Sequence, residues 1–138
     1  MESNKEIEPN TTSGEKLKEE GIIVFKKDGI VYGVYQKGCI VDERLLRKAI
    51  ALRIEASEGI PRPILVDGRD VKYWSWESRK IGFLPDANKH VTAYAFLLNS
   101  FIITTIVKWT FKMFPTPGIP RKIFTNEEEA IKWLQQFK

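Results

Sequence analysis

The sequence RPILVDGRDVKYWSWESRKIGF, residues 62–83, has the order of a strand, a turn and a helix. Its residues 64–66, Ile-Leu-Val, form an apolar run without polar alternation, which is typical of a parallel strand buried on both faces. Asp67-Gly68 then favours a tight turn, and Ser75 suits the N-cap of a helix that continues to the end of the stretch. Because ligand sites of open α/β sheets form at the carboxyl ends of strands, this turn is the first place to look for a functional site.

On the N-terminal side, residues 21–35 have the pattern of a β-hairpin, with β-branched and aromatic runs on either side of Asp28-Gly29. That dipeptide suits the positive φ angles of a two-residue type I′ turn. Gly33 lies inside the second run, where a glycine is typical of a bulge or of close packing. A helix capped by Asp42 follows, and a glycine and two prolines end it. Its predicted apolar face comprises Leu45, Ala49, Leu52 and Ala56.

The C-terminal half predicts a second buried strand at residues 91–98, which are almost wholly apolar. A helix over residues 100–114 follows and carries apolar residues on more than one face. After a proline-rich loop, residues 122–124 predict a short edge-like strand. Thr125 and Glu128 match the capping box of a final amphipathic helix.

This order of elements predicts an α/β fold with a mixed, mostly parallel sheet of about five strands that opens with a β-hairpin. About four helices flank the sheet. Residues 21–138 are expected to form a single domain, because they suffice for one hydrophobic core. Residues 1–20 are polar and charged, and we expect them to be a disordered or loosely attached tail.

The charge of the chain is distributed unevenly. The whole sequence has a formal charge of +4, and residues 1–20 hold three Lys and six Glu, so the remainder carries +7. We expect no nucleic-acid partner, because no recognition motif accompanies this basic charge. The sequence has one cysteine, no signal-peptide pattern and no uninterrupted apolar span, so we expect a cytoplasmic protein without a transmembrane segment.

No catalytic, cofactor or metal site is predicted, and we do not expect an enzyme. His90 is the only histidine, which excludes a multi-histidine metal site and a two-histidine mechanism. Cys39 has no histidine near it in the sequence with which to form a nucleophilic pair, and we interpret it as a small buried hydrophobe.

Polar and aromatic residues follow the central strand closely. Asp67, Arg69 and Asp70 can form a polar site at the strand end, or they can simply shape the turn, which is the interpretation that the sequence favours. The three aromatic rings that come next cannot all be buried on one side, so they either mark an interface or cover the edge of the core. The predicted interaction surface comprises Asp67, Arg69, Asp70, Tyr73, Trp74, Ser75 and Trp76.

The predicted helix over residues 100–114 has more apolar side chains than one buried stripe explains. Burial between the sheet and the last helix would cover them. A second copy of the chain, a partner protein or an apolar ligand in a cavity would also cover them. The residues predicted to form this dimer face or apolar pocket are Phe101, Ile102, Ile106, Trp109 and Phe111.

The C-terminal sequence PRKIFTNEEEAIKWL, residues 120–134, resembles the ending of STAS-like, or SpoIIAA-like, domains, a family of small bacterial α/β domains. The family's F-x-x-x-x-E-A-x-x-W-L pattern is filled by Phe124, Glu129, Ala130, Trp133 and Leu134. The hairpin and the strand, turn and helix of residues 62–83 fit the same topology. The resemblance therefore covers residues 21–138.

The resemblance implies a non-catalytic domain that binds a partner protein. Anti-sigma-factor antagonists of this family bind a kinase and are switched by phosphorylation of a serine that opens the helix after the central strand. Here Trp76 falls at about that position, Ser75 and Ser78 are only its neighbours, and the usual Asp-Ser-Ser/Thr-Gly pattern is absent. The resemblance thus favours a protein-interaction or regulatory module without a clear phosphorylation switch, with a homodimer as one form.

A carrier or sensor is the alternative function. SpoIIAA-like domains are also similar in fold to lipid-carrying domains. This implies that an apolar small molecule or lipid could bind between the sheet and the helix over residues 100–114.

Overall fold

The structure, a computed structural model, describes residues 16–138. Within this range six strands form one sheet and two short strands form another. The strands are β1 (Leu17–Glu19), β2 (Ile22–Lys27), β3 (Ile30–Tyr35), β4 (Ile40–Val41), β5 (Arg62–Asp67), β6 (Tyr73–Trp74), β7 (Val91–Leu97) and β8 (Arg121–Phe124). The helices are α1 (Glu43–Ser57), α2 (Trp76–Gly82), α3 (Phe101–Met113) and α4 (Glu127–Leu134), with 3₁₀ turns at Pro85–Asn88 and Gln135–Phe137.

The main sheet has the order β1-β2-β3-β5-β7-β8. Its first three strands are antiparallel, and β3, β5, β7 and β8 run parallel. This arrangement confirms the predicted mixed, mostly parallel sheet with an opening hairpin.

The sheet has one strand more than the predicted five, because residues 17–19 pair with β2. The sequence indicated these residues as part of the tail, but Leu17 packs against the core. Residues 1–15 of the predicted tail lie outside the described residues.

Strand β5 is buried on both faces, as its apolar sequence predicted. Ile64 belongs to the core on the side of α1, α2 and α3, together with Ile103 and Val107 of α3. Leu65 belongs to the opposite core, which α4 covers. Since α3 and α4 lie on opposite sides of the sheet, α4 does not cover the extra apolar side chains of α3.

Side-chain caps start the helices. Asp42, Ser75 and Ser100 each accept a hydrogen bond from the backbone N–H three residues on, at 2.9, 3.1 and 3.2 Å. These caps confirm the helix starts that the sequence predicted. At α4 the cap is Asn126, at 2.9 Å, and not Thr125. The predicted capping residue, Thr125, is therefore one residue too early, because the Asn126 side chain accepts the hydrogen bond at the start of the helix.

We predict that Gly68→Ala lowers stability. A Cβ at this position would lie 2.5 Å from Cη2 of Trp74 and 3.1 Å from Cδ2 of Leu98, so the buried ring would have to move. The expected loss in the free energy of unfolding is about 1–3 kcal/mol, measured by urea denaturation. Gly33→Ala is the matched control, because its Cβ would meet no heavy atom closer than 3.8 Å. Equal stability of Gly68→Ala and the parent chain would contradict this packing.

Candidate functional site

The polar cluster after β5 is an ion pair that closes the turn. The Arg69 guanidinium donates to both oxygens of the buried Asp67 carboxylate, at 3.0 and 2.8 Å, and the Arg69 backbone N–H donates to it at 3.1 Å. Glu127, in the first turn of α4, lies 3.6 Å from the same guanidinium. The hydrogen bonds with Asp67 raise the pKa of Arg69. This network fastens the end of β5 to the start of α4.

Asp70 belongs to a separate turn. It is exposed and has a φ of 66°. Its backbone N–H donates to the Asn99 side-chain oxygen at 3.2 Å, and the Asn99 amide donates to its carboxylate at 3.3 Å. Asp67 and Asp70 therefore have different partners, and this arrangement agrees with turn chemistry.

The three aromatic rings after the turn have different surroundings. Trp74 is buried, and its ring meets Tyr35 edge-on at 5.4 Å between centroids. Tyr73 is exposed. Trp76 is also exposed, and it packs against Phe114 at 5.7 Å. The expectation that some of these rings stay outside the core is confirmed, and Ser75 between them caps α2.

The outer side of α3 is an uncovered apolar surface among the described residues. Ile103, Val107 and Thr110 face inward and are buried. The outer side presents Phe101, Ile102, Trp109 and Met113, which are 85%, 68%, 62% and 50% exposed. These four residues are called the α3 face below.

The predicted pocket residues of α3 are thus divided between two environments. Phe101, Ile102 and Trp109 lie on the α3 face. Ile106 is half-buried, and Phe111 packs in the core at 5.3 Å from Phe96 and 5.9 Å from Phe83, measured between ring centroids.

A cavity of about 100 Å³ lies on the α1 side of the sheet. Side chains of β2, β3, β5 and β7 form its floor, and residues of α1, α2 and α3 line the rest of it, which is partly open to solvent. Helix α3 contributes Val107 and Thr110 and none of the five predicted pocket residues. Helix α2, which has seven residues, contributes Ser78, Arg79 and Gly82 to the lining.

Gly33 lies on the floor of this cavity. The pairing of β2 with β3 is regular at this position, with Gly33 opposite Val24, so the suggestion of a bulge is wrong. The suggestion of close packing is also wrong, because only Ile22 Cδ1 comes within 4 Å of the position a Cβ would take, at 3.8 Å. The missing side chain is therefore part of the empty volume.

Four larger polar side chains line the same cavity: Tyr35, Arg53, Arg79 and Tyr94. Arg53 donates to the carbonyl oxygens of Lys89 and Ala87, at 2.8 and 2.6 Å. Arg79 donates to the Trp74 carbonyl and the Thr110 hydroxyl, both at 3.2 Å. Tyr94 donates to the Asn88 side-chain oxygen at 2.7 Å.

Burial is the main cause of the pKa shifts among these side chains. It raises the pKa of Tyr94 to about 12, against the opposing charges of Arg53 and Arg121. It also raises the pKa of Tyr35, and it lowers the pKa of Arg53. The two hydroxyls therefore remain protonated at neutral pH and can donate hydrogen bonds.

Comparison with known families identifies the domain. A family model described as "Domain of unknown function (DUF7793)" matches residues 23–138. The chain belongs to the DUF7793 family. No curated protein matches this DUF7793 chain.

The DUF7793 domain is similar to a solved structure from Shewanella loihica PV-4, an uncharacterized protein from the DUF3478 family with a SpoIIAA-like fold. The sequences are 17% identical, the match covers 88% of this chain and 92% of the other, and the TM-score is 0.52. At this identity the similarity concerns the fold alone, and it confirms the SpoIIAA-like fold. In residues 16–138 of the DUF7793 domain, no helix has the length and apolarity to cross a membrane.

Sequence reasoning missed the cavity residues Gly33, Tyr35 and Arg53 of this DUF7793 domain. Arg53 carries the clearest signal, because it lies four residues after Ala49 on the inward side of α1, where an apolar residue is expected. Gly33 and Tyr35 alternate on one face of β3, but the sequence does not show which helices lie above that face.

We predict that Asp67→Asn destabilises the DUF7793 domain. The substitution keeps the shape but removes the charge that Arg69 meets in a buried setting. The free energy of unfolding should fall by about 1–3 kcal/mol in urea denaturation. Asp70→Asn is the control and should stay within about 0.5 kcal/mol, because Asp70 is exposed and Asn tolerates a positive φ. Equal effects of the two substitutions would contradict the assigned role of the ion pair.

Proposed function

We propose that this chain is a non-catalytic protein-interaction domain of the SpoIIAA-like fold that binds a partner through the α3 face. The exposure of Phe101, Ile102, Trp109 and Met113 carries the proposal. Contiguous exposed apolar patches on soluble domains mark interaction sites. Tryptophan is also among the residue types that contribute most to binding energy.

The charge of α3 favours a partner with acidic residues. The helix contains Lys108 and Lys112, both exposed, and no acidic residue. The Lys112 ammonium lies 5.8 Å from the centre of the Trp109 ring, so the positive charge borders the apolar surface. A second copy of the chain would bring the same charges to the interface, whereas acidic residues would neutralise them. The proposed partner is therefore a protein with an apolar groove bordered by Asp or Glu.

The turn after β5 supports a role in contact rather than in catalysis or phosphorylation switching. The Ser75 hydroxyl accepts a hydrogen bond from the Ser78 backbone, and Ser78 is itself buried. Trp76 is at about the position that the family resemblance gives to the switch serine. The Asp67 carboxylate already accepts three hydrogen bonds from Arg69, which leaves it poorly placed to act as a general base.

A second candidate function is the binding of an apolar small molecule, as in a carrier or sensor. The cavity next to Gly33 supports it, because ligand sites in proteins are mostly apolar and carry a few placed polar groups. Its volume of about 100 Å³ restricts the ligand to a few heavy atoms, since typical ligand sites have roughly 300–1,000 Å³. The α3 face and the cavity lie on opposite sides of α3, so the two functions do not exclude each other.

We predict that a photo-crosslinker at Trp109 captures an acidic partner in the source organism. p-Benzoylphenylalanine would replace Trp109 in one variant and Ile102 in a second, and both should give the same adduct by mass spectrometry. A third variant with the crosslinker at Gln136, an exposed position after α4, should not give it.

The folding control is Trp109→Ser, which should change the free energy of unfolding by less than about 0.5 kcal/mol because the side chain is exposed. Adducts that are the same from Gln136, or their absence at both α3 positions, would contradict the proposed function. An adduct of two copies of this chain would assign the α3 face to a homodimer.

A further inference from the structure

Within the described residues 16–138, the cavity combines three features that each cost stability: a glycine in a strand of the sheet, a buried hydroxyl without a hydrogen-bond partner, and guanidinium groups without a carboxylate. Each is observed independently. Together they describe the chemistry of a ligand.

Gly33 keeps the cavity open at a cost in stability. Glycine weakens the interior of a strand, and a β-branched residue suits a pleated, half-buried surface better. The φ of Gly33 does not require glycine, and the space above it would accept a side chain. A glycine in a strand often marks a place where a ligand approaches closely, which fits its position on the cavity floor.

The Tyr35 hydroxyl is an unused donor in the cavity wall. Tyr35 is 6% exposed, and its hydroxyl makes no hydrogen bond to any of residues 16–138. A buried polar group without a partner costs about 1–3 kcal/mol, so such groups call for an explanation. A tyrosine hydroxyl is protonated at neutral pH, so a ligand atom that accepts a hydrogen bond would satisfy it.

The charge of the cavity wall is positive. Arg53, also 6% exposed, has only two backbone carbonyls as hydrogen-bond partners in the described part of the chain. Arg79 likewise bonds to a carbonyl and a hydroxyl. Among residues 16–138, no Asp or Glu lines the cavity. Buried charges in proteins are normally paired, so a ligand is expected to supply a counter-charge to the buried Arg53, while Arg79 is half-buried.

We propose that the cavity binds a small apolar carboxylic acid as its carboxylate, with the apolar body over Gly33 and the carboxylate at the Tyr35 hydroxyl, in a wall to which Arg53 and Arg79 give a positive charge. This proposal rests on the second candidate function and names its ligand class. A cavity of about 150 Å³ can hold benzene, and this cavity has about 100 Å³, so the body of the ligand is expected to be a short alkyl group smaller than benzene. A carboxylate suits the wall because it only accepts hydrogen bonds, and these side chains offer donors.

The test compares acids with amides of the same shape. The full chain is titrated by calorimetry at neutral pH with butanoate and pentanoate, and with the two corresponding amides. We expect at least one acid to bind about tenfold or more tightly than its amide, because hydrogen bonds to a charged group are the stronger ones. Tyr35→Phe should weaken binding of the acid by about fivefold or more while the free energy of unfolding without ligand stays equal or rises.

Two further variants test whether the acid binds in this cavity or elsewhere on the protein. Tyr32→Phe is the matched control, since Tyr32 is a buried residue of the same strand on the opposite face of the sheet, and acid binding should not change. Gly33→Val should abolish binding of both compounds while the chain stays folded by circular dichroism.

Each contrary result has a distinct meaning. If neither acids nor amides bind the parent chain, the small-molecule function itself is overturned. If acid and amide bind equally, the carboxylate assignment is overturned and the small-molecule function remains. If Gly33→Val binds like the parent chain, the ligand is not in this cavity and the proposal fails.

Discussion

The burial of β5 on both faces is the constraint on which the other features of this domain depend. Ile64 and Leu65 point to opposite sides, so the sheet must be covered by helices on both sides. Helix α4 covers the Leu65 side, and α1, α2 and α3 share the Ile64 side. Because α4 lies on the far side, the α3 face stays exposed among the described residues. A cavity remains on the Ile64 side, lined by residues of α1, α2 and α3.

Much of this fold could be predicted from the sequence, because its signals are local. Apolar runs, the Asp28-Gly29 turn and the capping side chains each depend on a few neighbouring residues, and they predicted the sheet type and the starts of α1, α2 and α3 correctly. The strands β1, β4 and β6 were missed because two or three residues carry no periodicity. At α4, Thr125 and Asn126 are both good caps, and only the packing of the helix decides between them.

The candidate site was less predictable, because it depends on which elements meet in space. The sequence pointed correctly to the carboxyl end of β5, but there Asp67 and Arg69 fasten β5 to α4. The sequence showed that α3 has more apolar residues than one buried face needs, but it did not show which of them would be exposed. The cavity could not be predicted from the sequence, because the missing side chain of Gly33 leaves an empty volume only once helices pack over that face of the sheet. Arg53 was the one available signal, as a charge on the inward side of an amphipathic helix.

Helix α3 connects the two surfaces on which the functional account depends. Its inward residues Val107 and Thr110 line the cavity, while the α3 face points away. The α3 face rests on the exposure of its own side chains, whereas the ligand site rests on the claim that the α1 side of the core is incompletely filled above Gly33. Crystals of the parent chain pressurised with xenon test that claim most directly, because xenon enters dry apolar cavities. The account predicts a xenon atom beside Gly33 and none at that position in Gly33→Val. A parent chain without xenon there, or equal occupancy in both proteins, would contradict it.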